Sequence, residues 1–251
     1  MYRYEERECL TTQIGSLPFS DADRAVEYSL EHEIPFLPEL TSRGDAMMRY
    51  IETPGSLSCL RAFKRNRFDT VKVQCVGPAT LVQSGKTADD AVSRAYAHID
   101  AVLDGLVADE VLLFLDEPAL GYVGFDYLRL WEPLFESFPV IPGVHVCGNM
   151  QWDELMASGI AVVSFDASRY DITKYYEDRG GVAISWGIES LEDIADYRPG
   201  DLITLPCGMP HKAYSEEDAV QRLDLLQTAA EWVRRSPGSM KDEAPLSIES
   251  E

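Results

Sequence analysis

Short apolar, β-branched runs recur along the chain, with longer helix-patterned stretches between most of them. This alternation restricts the fold more than any other feature of the sequence. The runs fall at 10–14, 36–39, 71–76, 111–115, 143–147, 162–166, 181–186 and 202–205. Helix-period patterns occupy 21–32, 88–106, 126–135, 152–157 and 215–234. Repeated βα units need crossover connections, which lay the strands parallel in one sheet. Eight such strands, with a helix after the last, predict a single (β/α)8 barrel. The 251 residues suit the roughly 250 typical of that fold. A doubly wound open sheet is the competing arrangement. Its dinucleotide-binding form is weakened because no G-x-G-x-x-G follows the first run. Ser20 or Asp21 is placed to cap the first helix, and Ser215 with Asp218 resembles a capping box before the last. Residues 236–251 are polar and acidic. The expected organisation is therefore a barrel domain over 1–235 and a solvated tail over 236–251.

Charge narrows the partners. Lys and Arg number 22 against 43 Asp and Glu, a net charge of −21. A chain without a basic patch cannot neutralise phosphates, which argues against nucleic acid or an anionic membrane surface. No apolar run approaches the roughly 18–20 residues of a membrane span. Glu5, Glu6 and Glu8 stand where a secretory signal would be basic and then apolar. These features predict a cytoplasmic protein. The cysteines are Cys9, Cys59, Cys75, Cys147 and Cys207. An odd number in an intracellular chain favours thiols or metal ligands over a disulfide framework.

In a barrel, chemistry gathers at the C-terminal strand ends. The ends here carry Gly15-Ser16, Glu39, Gly77-Pro78, Asp116-Glu117-Pro118, His145-Val146-Cys147, Asp166 and Cys207-Gly208. Residues i and i+2 of a strand share a face, so His145 and Cys147 can reach one metal ion together. Taken alone, H-x-C reads first as a hydrogen-bonded core histidine beside a buried thiol. Cys207, ending a later strand between Pro206 and Gly208, and Asp166 add two candidate ligands. A His, two Cys and a carboxylate suit zinc or a similar borderline metal, and packing remains the alternative. Asp116 and Glu117 could be acid/base groups, substrate anchors or helix caps, and Glu39 carries the same ambiguity. His32 is expected at an exposed helix end and His98 inside a helix as a structural residue. His211 is open between a role beside the metal ligands and the surface.

These motifs resemble the C-terminal catalytic barrel of cobalamin-independent methionine synthase, within the wider group that includes uroporphyrinogen decarboxylase. The resemblance spans residues 11–232. It rests on Thr11-Thr12-Gln13-Ile14-Gly15-Ser16-Leu17-Pro18, Val76-Gly77-Pro78-Ala79-Thr80, Asp116-Glu117-Pro118-Ala119-Leu120, His145-Val146-Cys147 and Pro206-Cys207-Gly208. It implies that His145, Cys147 and Cys207 bind Zn2+. The remaining ligand of the family is a glutamate, and Asp166 matches its place with a side chain one methylene shorter. It further implies a thiol substrate such as homocysteine, with amino-group contacts from Glu39 and Asp116 and carboxylate contacts near Ile14, Gly15 and Ser16. The implied activity is zinc-dependent methyl transfer to the thiol, giving methionine.

The family's full-length members add an N-terminal barrel and use a methyl-folate, with a histidine after strand seven delivering a proton. The matching segment here, Ser185-Trp186-Gly187-Ile188-Glu189-Ser190, has no histidine. The donor is then either a methyl-corrinoid protein at an open barrel mouth, or methyl-folate with Glu189 or His211 relaying the proton. Two other functions stand beside this one: a decarboxylase-like lyase, which would need a basic pocket, and a non-catalytic barrel binding a metal or a corrinoid partner.

Overall fold

The computed structural model describes residues 10–235, other than 123, 125, 149, 151 and 176–178. Cys9 and the expected acidic tail at 236–251 lie outside the described residues. The strands are β1 (Leu10–Thr11), β2 (Ser16–Leu17), β3 (Glu39–Leu40), β4 (Arg67–Val76), β5 (Val107–Asp116), β6 (Ile141–Val146), β7 (Val162–Asp166), β8 (Ala183–Gly187) and β9 (Leu202–Thr204). The helices are α1 (Ala22–Leu30), α2 (Met47–Tyr50), α3 (Leu60–Phe63), α4 (Pro78–Gln83), α5 (Ala88–Leu103), α6 (Leu128–Ser137), α7 (Trp152–Met156) and α8 (Glu216–Arg235). None of these helices is long and apolar enough to cross a membrane.

Seven strands pair in parallel in the order β1-β9-β8-β7-β6-β5-β4, while β2 pairs with β3 in a separate two-stranded ladder. The sheet is curled and open, a half-barrel. The fold is α/β with a parallel sheet, and the closed (β/α)8 barrel expected from the sequence is not what forms. Residues 34–40 give the physical reason. The run expected as a strand at 36–39 follows Pro35 and contains Pro38, neither of which has an N–H to contribute to a ladder. It meets β4 at the single bridge Phe36–Lys72. Just before the run, Ile34 N–H donates to the Thr11 carbonyl of β1 at 2.9 Å. Only Glu39 and Leu40 go on to pair, with Ser16 and Leu17.

Side-chain alternation divides the sheet into two faces. Val71, Val73 and Cys75 of β4, Leu113 and Leu115 of β5, and Phe165 and Trp186 further along pack into the main core with the helices. The opposite face carries Lys72, Gln74, Leu112, Phe114, Asp116, His145 and Ser164, all buried. A parallel sheet covered on both faces is expected to be apolar throughout. The polar members of this face are therefore the ones to explain, and they converge at the strand ends.

The helices form where the sequence gives them an apolar stripe and a cap. Along α8, Ala219, Leu223, Leu226, Ala230 and Val233 are buried at three- and four-residue spacing. Ser215 and Asp218 satisfy one another's backbone N–H groups at its start, at 2.7 and 3.1 Å. Asp21 Oδ1 caps α1 by accepting from the N–H groups of Asp23 and Arg24, both at 3.0 Å. Before β8, Arg179 is buried and donates to both oxygens of Asp201 at 2.7 and 2.8 Å. Asp201 also accepts from Ile184 N–H, Trp186 Nε1 and Arg198 N–H.

Two histidines sit in the core. His32 is 3% exposed, its ring set against Tyr28 and Phe36, which corrects its expected surface position. His98 stacks on Tyr50 with ring centroids 4.4 Å apart. Burial holds both neutral, pulling each down to about 4. Between that value and the unfolded value near 6.5 the unfolded chain binds more protons. Stability is then full above about 6.5 and is lost as pH falls through about 4, with about 3 kcal/mol at stake per histidine. His98→Phe keeps the stacked ring and removes the proton site. Its acid-unfolding midpoint, followed by circular dichroism, is expected to move to lower pH.

Candidate functional site

The sheet register assembles the site. Asp116, His145, Ser164 and Ser185 lie on one rung across β5, β6, β7 and β8. His145 is 1% exposed, and its Nδ1 lies 3.1 Å from Ser164 Oγ. That contact turns Nε2 toward Cys147, whose sulfur is 3.0 Å away. Cys147 follows β6 directly, and its Sγ lies 3.8 Å from Cys207 Sγ. Cys207 reaches this point because Gly208 lets its loop press against β2. A Cβ on Gly208 would come within 2.6 Å of the Ser16 Cβ, and Met209 N–H donates to the Ser16 carbonyl at 2.6 Å.

The ligand atoms of His145, Cys147 and Cys207 all lie within 4.8 Å of one another and could hold a metal ion. Two sulfurs bound tetrahedrally at about 2.3 Å each would be about 3.8 Å apart, which is the separation found here. The His145–Cys147 contact is tighter than the about 3.6 Å that shared ligation would give, as a direct hydrogen bond is. Hydrogen bonds from Cys147 and His145 pull the Cys207 thiol down, while the bond to Cys207 and burial push Cys147 up. A low thiol value beside a histidine is the setting in which thiolate forms. Asp166 is at the same mouth but outside the three-residue group. Its Oδ1 accepts from Ser168 N–H and Oγ at 3.1 and 2.6 Å.

Deeper in, Glu39 and Asp116 form a carboxylate pair joined by Gln74. Gln74 Nε2 donates to Glu39 Oε1 at 3.2 Å and to Asp116 Oδ2 at 2.9 Å. Its orientation is fixed from the other side, where Oε1 accepts from Gly15 N–H and from Lys72 Nζ, both at 2.8 Å. Gly15 is required for this fit, since a Cβ there would sit 2.9 Å from the Gln74 amide carbon. Lys72 is wholly buried, also bonds the Gln13 carbonyl at 3.0 Å, and lies over the Phe114 ring. Burial pushes Glu39 up to about 8, with Asp116 adding to the effect. Burial likewise pushes Asp116 up to about 7, against the pull of Lys72. Asp116 Oδ1 is buried without a hydrogen-bond partner. A buried carboxylate oxygen left open is costly unless a donor arrives.

The remaining expected residues separate into groups. Ser16 reaches the pocket, its hydroxyl 3.5 Å from Glu39 Oε2. The Gly15 N–H, expected to meet a substrate carboxylate, is committed to Gln74. Ile14 is buried beside it. Glu117 turns away: its carboxylate accepts from the N–H groups of Ala79 and Thr80, the Thr80 hydroxyl and Trp131 Nε1, anchoring the start of α4. His211 lies against Thr41 at 2.8 Å and is exposed. A cavity of about 190 Å³ opens beside Cys147 and Cys207, bordered by Asp166, Arg169, Glu189, Tyr214 and Arg222. Glu189 is ion-paired with Arg222 there.

Lys72, Gln74 and Ser164 escaped the reading of the sequence. The signal was present for the first two, since polar residues two apart inside an apolar strand share a face. No protein-family model matches the chain, and none of the curated proteins compared with it matches.

Proposed function

We propose that this chain is a zinc-dependent methyltransferase that moves a methyl group to the sulfur of an amino-acid thiol such as homocysteine, as the resemblance to the methionine synthase barrel implies. One observation carries the reading. A His/Cys/Cys cluster with tetrahedral sulfur spacing stands at the strand ends, and on its rung lies a buried carboxylate with an open oxygen. His145 Nε2, Cys147 Sγ and Cys207 Sγ would hold the ion, which when bound favours the thiolate over the thiol of a substrate that is mostly protonated near neutral pH.

The chain's own groups do the rest. Ser164 fixes the His145 ring, and so the nitrogen it presents. Glu39 and Asp116 supply negative charge to a substrate ammonium, and Asp116 Oδ1 accepts one of its hydrogens. Gln74 keeps both carboxylates in place. Lys72 offsets part of their charge, and burial resists ionising both carboxylates until an ammonium group arrives. In the transfer, the sulfur lone pair forms the S–CH3 bond while the donor's bond to the methyl breaks and leaves its electron pair on the donor. A methyl-corrinoid partner accepts that pair without a proton. A methyl-folate needs one at nitrogen; no histidine borders the cavity among the described residues, and the carboxylate of Glu189, which does, is ion-paired with Arg222. A corrinoid protein is therefore the favoured donor and partner.

The test is metal analysis of the purified protein, followed by methyl transfer to homocysteine from methylcobalamin and from methyl-folate separately. One zinc per chain and methionine formation are expected. 4-Mercaptobutyrate, which lacks the ammonium group, is expected to react poorly. A metal-free, inactive chain contradicts the assignment. Metal without transfer from either donor leaves a metal-binding protein of another kind.

A further inference from the structure

We infer that Asp166 is not a metal ligand and that three side chains alone hold the ion, leaving its fourth position to water or to the incoming thiol. This rests on the metal reading above and specifies it. Asp166 ends β7 at the mouth of the site, yet both of its oxygens are already engaged on its own turn. Oδ1 accepts from Ser168 N–H at 3.1 Å and from Ser168 Oγ at 2.6 Å. Oδ2 faces Arg169 Nε at 3.2 Å. The backbone carbonyl of the same residue accepts from Arg169 N–H at 3.3 Å and Tyr170 N–H at 3.1 Å, closing the turn from the main chain as well. The carboxylate is thus the anchor of the 166–170 turn.

Asp166 falls outside the group whose ligand atoms lie within 4.8 Å of one another, and its carboxylate partners all lie on its own turn. Aspartate is short, with only the torsions χ1 and χ2, so a carboxylate turned toward the sulfurs leaves the positions that hold the turn. The ligand group closes at His145, Cys147 and Cys207, and the cavity adjoins both cysteines. Three protein ligands and an open position define a site that can take a substrate, whereas four protein ligands define a closed one.

The experiment compares zinc-loaded wild type with D166N by zinc stoichiometry, competition against a chromophoric chelator and X-ray absorption. Asparagine keeps an Oδ1 for Ser168, so the turn is retained. Both proteins are expected to hold one zinc with affinities within about tenfold. Both are expected to show the same scattering shell of two sulfurs and one imidazole with a light atom. Homocysteine is expected to replace that light atom by a third sulfur in both. A loss of about a hundredfold or more in D166N, or a shell that changes with the substitution, overturns the inference while leaving the metal reading intact. A wild type that binds no zinc at all overturns both.

Discussion

Serine in place of Cys207 is expected to abolish stoichiometric zinc binding and, with it, methyl transfer to homocysteine. The exchange replaces one sulfur by oxygen at an exposed loop position, so the fold has little reason to change. The ligand set does change. A thiolate binds zinc as an anion, whereas a serine hydroxyl stays protonated and neutral, leaving His145 and Cys147 to hold the ion alone. Removing a group that merely orients a ligand costs about 10–100-fold in affinity, and removing a ligand should exceed that. Cys59→Ala is the contrast. Cys59 is buried near the Ala22 carbonyl, away from the cluster, and its loss should leave zinc content unchanged. Zinc retained by the Cys207→Ser protein would remove Cys207 from the ligand set.

The second large effect concerns stability. Asp201→Ala removes the carboxylate that takes two bonds from the buried Arg179 guanidinium, at 2.7 and 2.8 Å, and leaves that charge to the Asp196 carbonyl and, at 3.8 Å, the Asp196 carboxylate. The same change removes the acceptor for Trp186 Nε1 and for the N–H groups of Ile184 and Arg198. Breaking a buried pair by deleting one partner costs about 3–5 kcal/mol. For a domain of this size that is a fall in melting temperature of roughly 10 °C. Differential scanning calorimetry is the measurement. Arg179→Met with Asp201→Leu should recover part of the loss, because it removes the buried charge together with its main partner. A single variant as stable as wild type would contradict the prediction and show that Asp196 holds Arg179 without Asp201.

How far the sequence foretold this structure depends on which interaction sets each feature. The order of βα units was legible, because parallel strands need crossovers and leave short apolar runs as their trace. The strand-end residues were legible for the same reason, and His145, Cys147 and Cys207 do meet. Closure of the sheet was not. Pro35 and Pro38 were visible, but their effect falls on hydrogen bonds to strands far away in sequence. The buried state of His32 was hidden too, since its charged neighbours Glu31 and Glu33 suggest a solvated helix end. Gln74 illustrates a third limit. Its role follows from being gripped by Gly15 and Lys72 while it holds Glu39 and Asp116, four residues drawn from separate elements. Asp166 stood at the expected place, but its bonds to Ser168 and Arg169 depend on turn geometry that spacing does not specify.

Substitution of cobalt(II) for zinc, followed by titration with homocysteine, probes the activation of sulfur by a bound ion most directly. The loaded protein should show sulfur-to-cobalt charge transfer from two thiolates with the visible bands of a tetrahedral centre. The charge-transfer intensity should rise by roughly half as a third sulfur enters. A pale spectrum of octahedral, oxygen-ligated cobalt, or bands that homocysteine leaves unaltered, would contradict it.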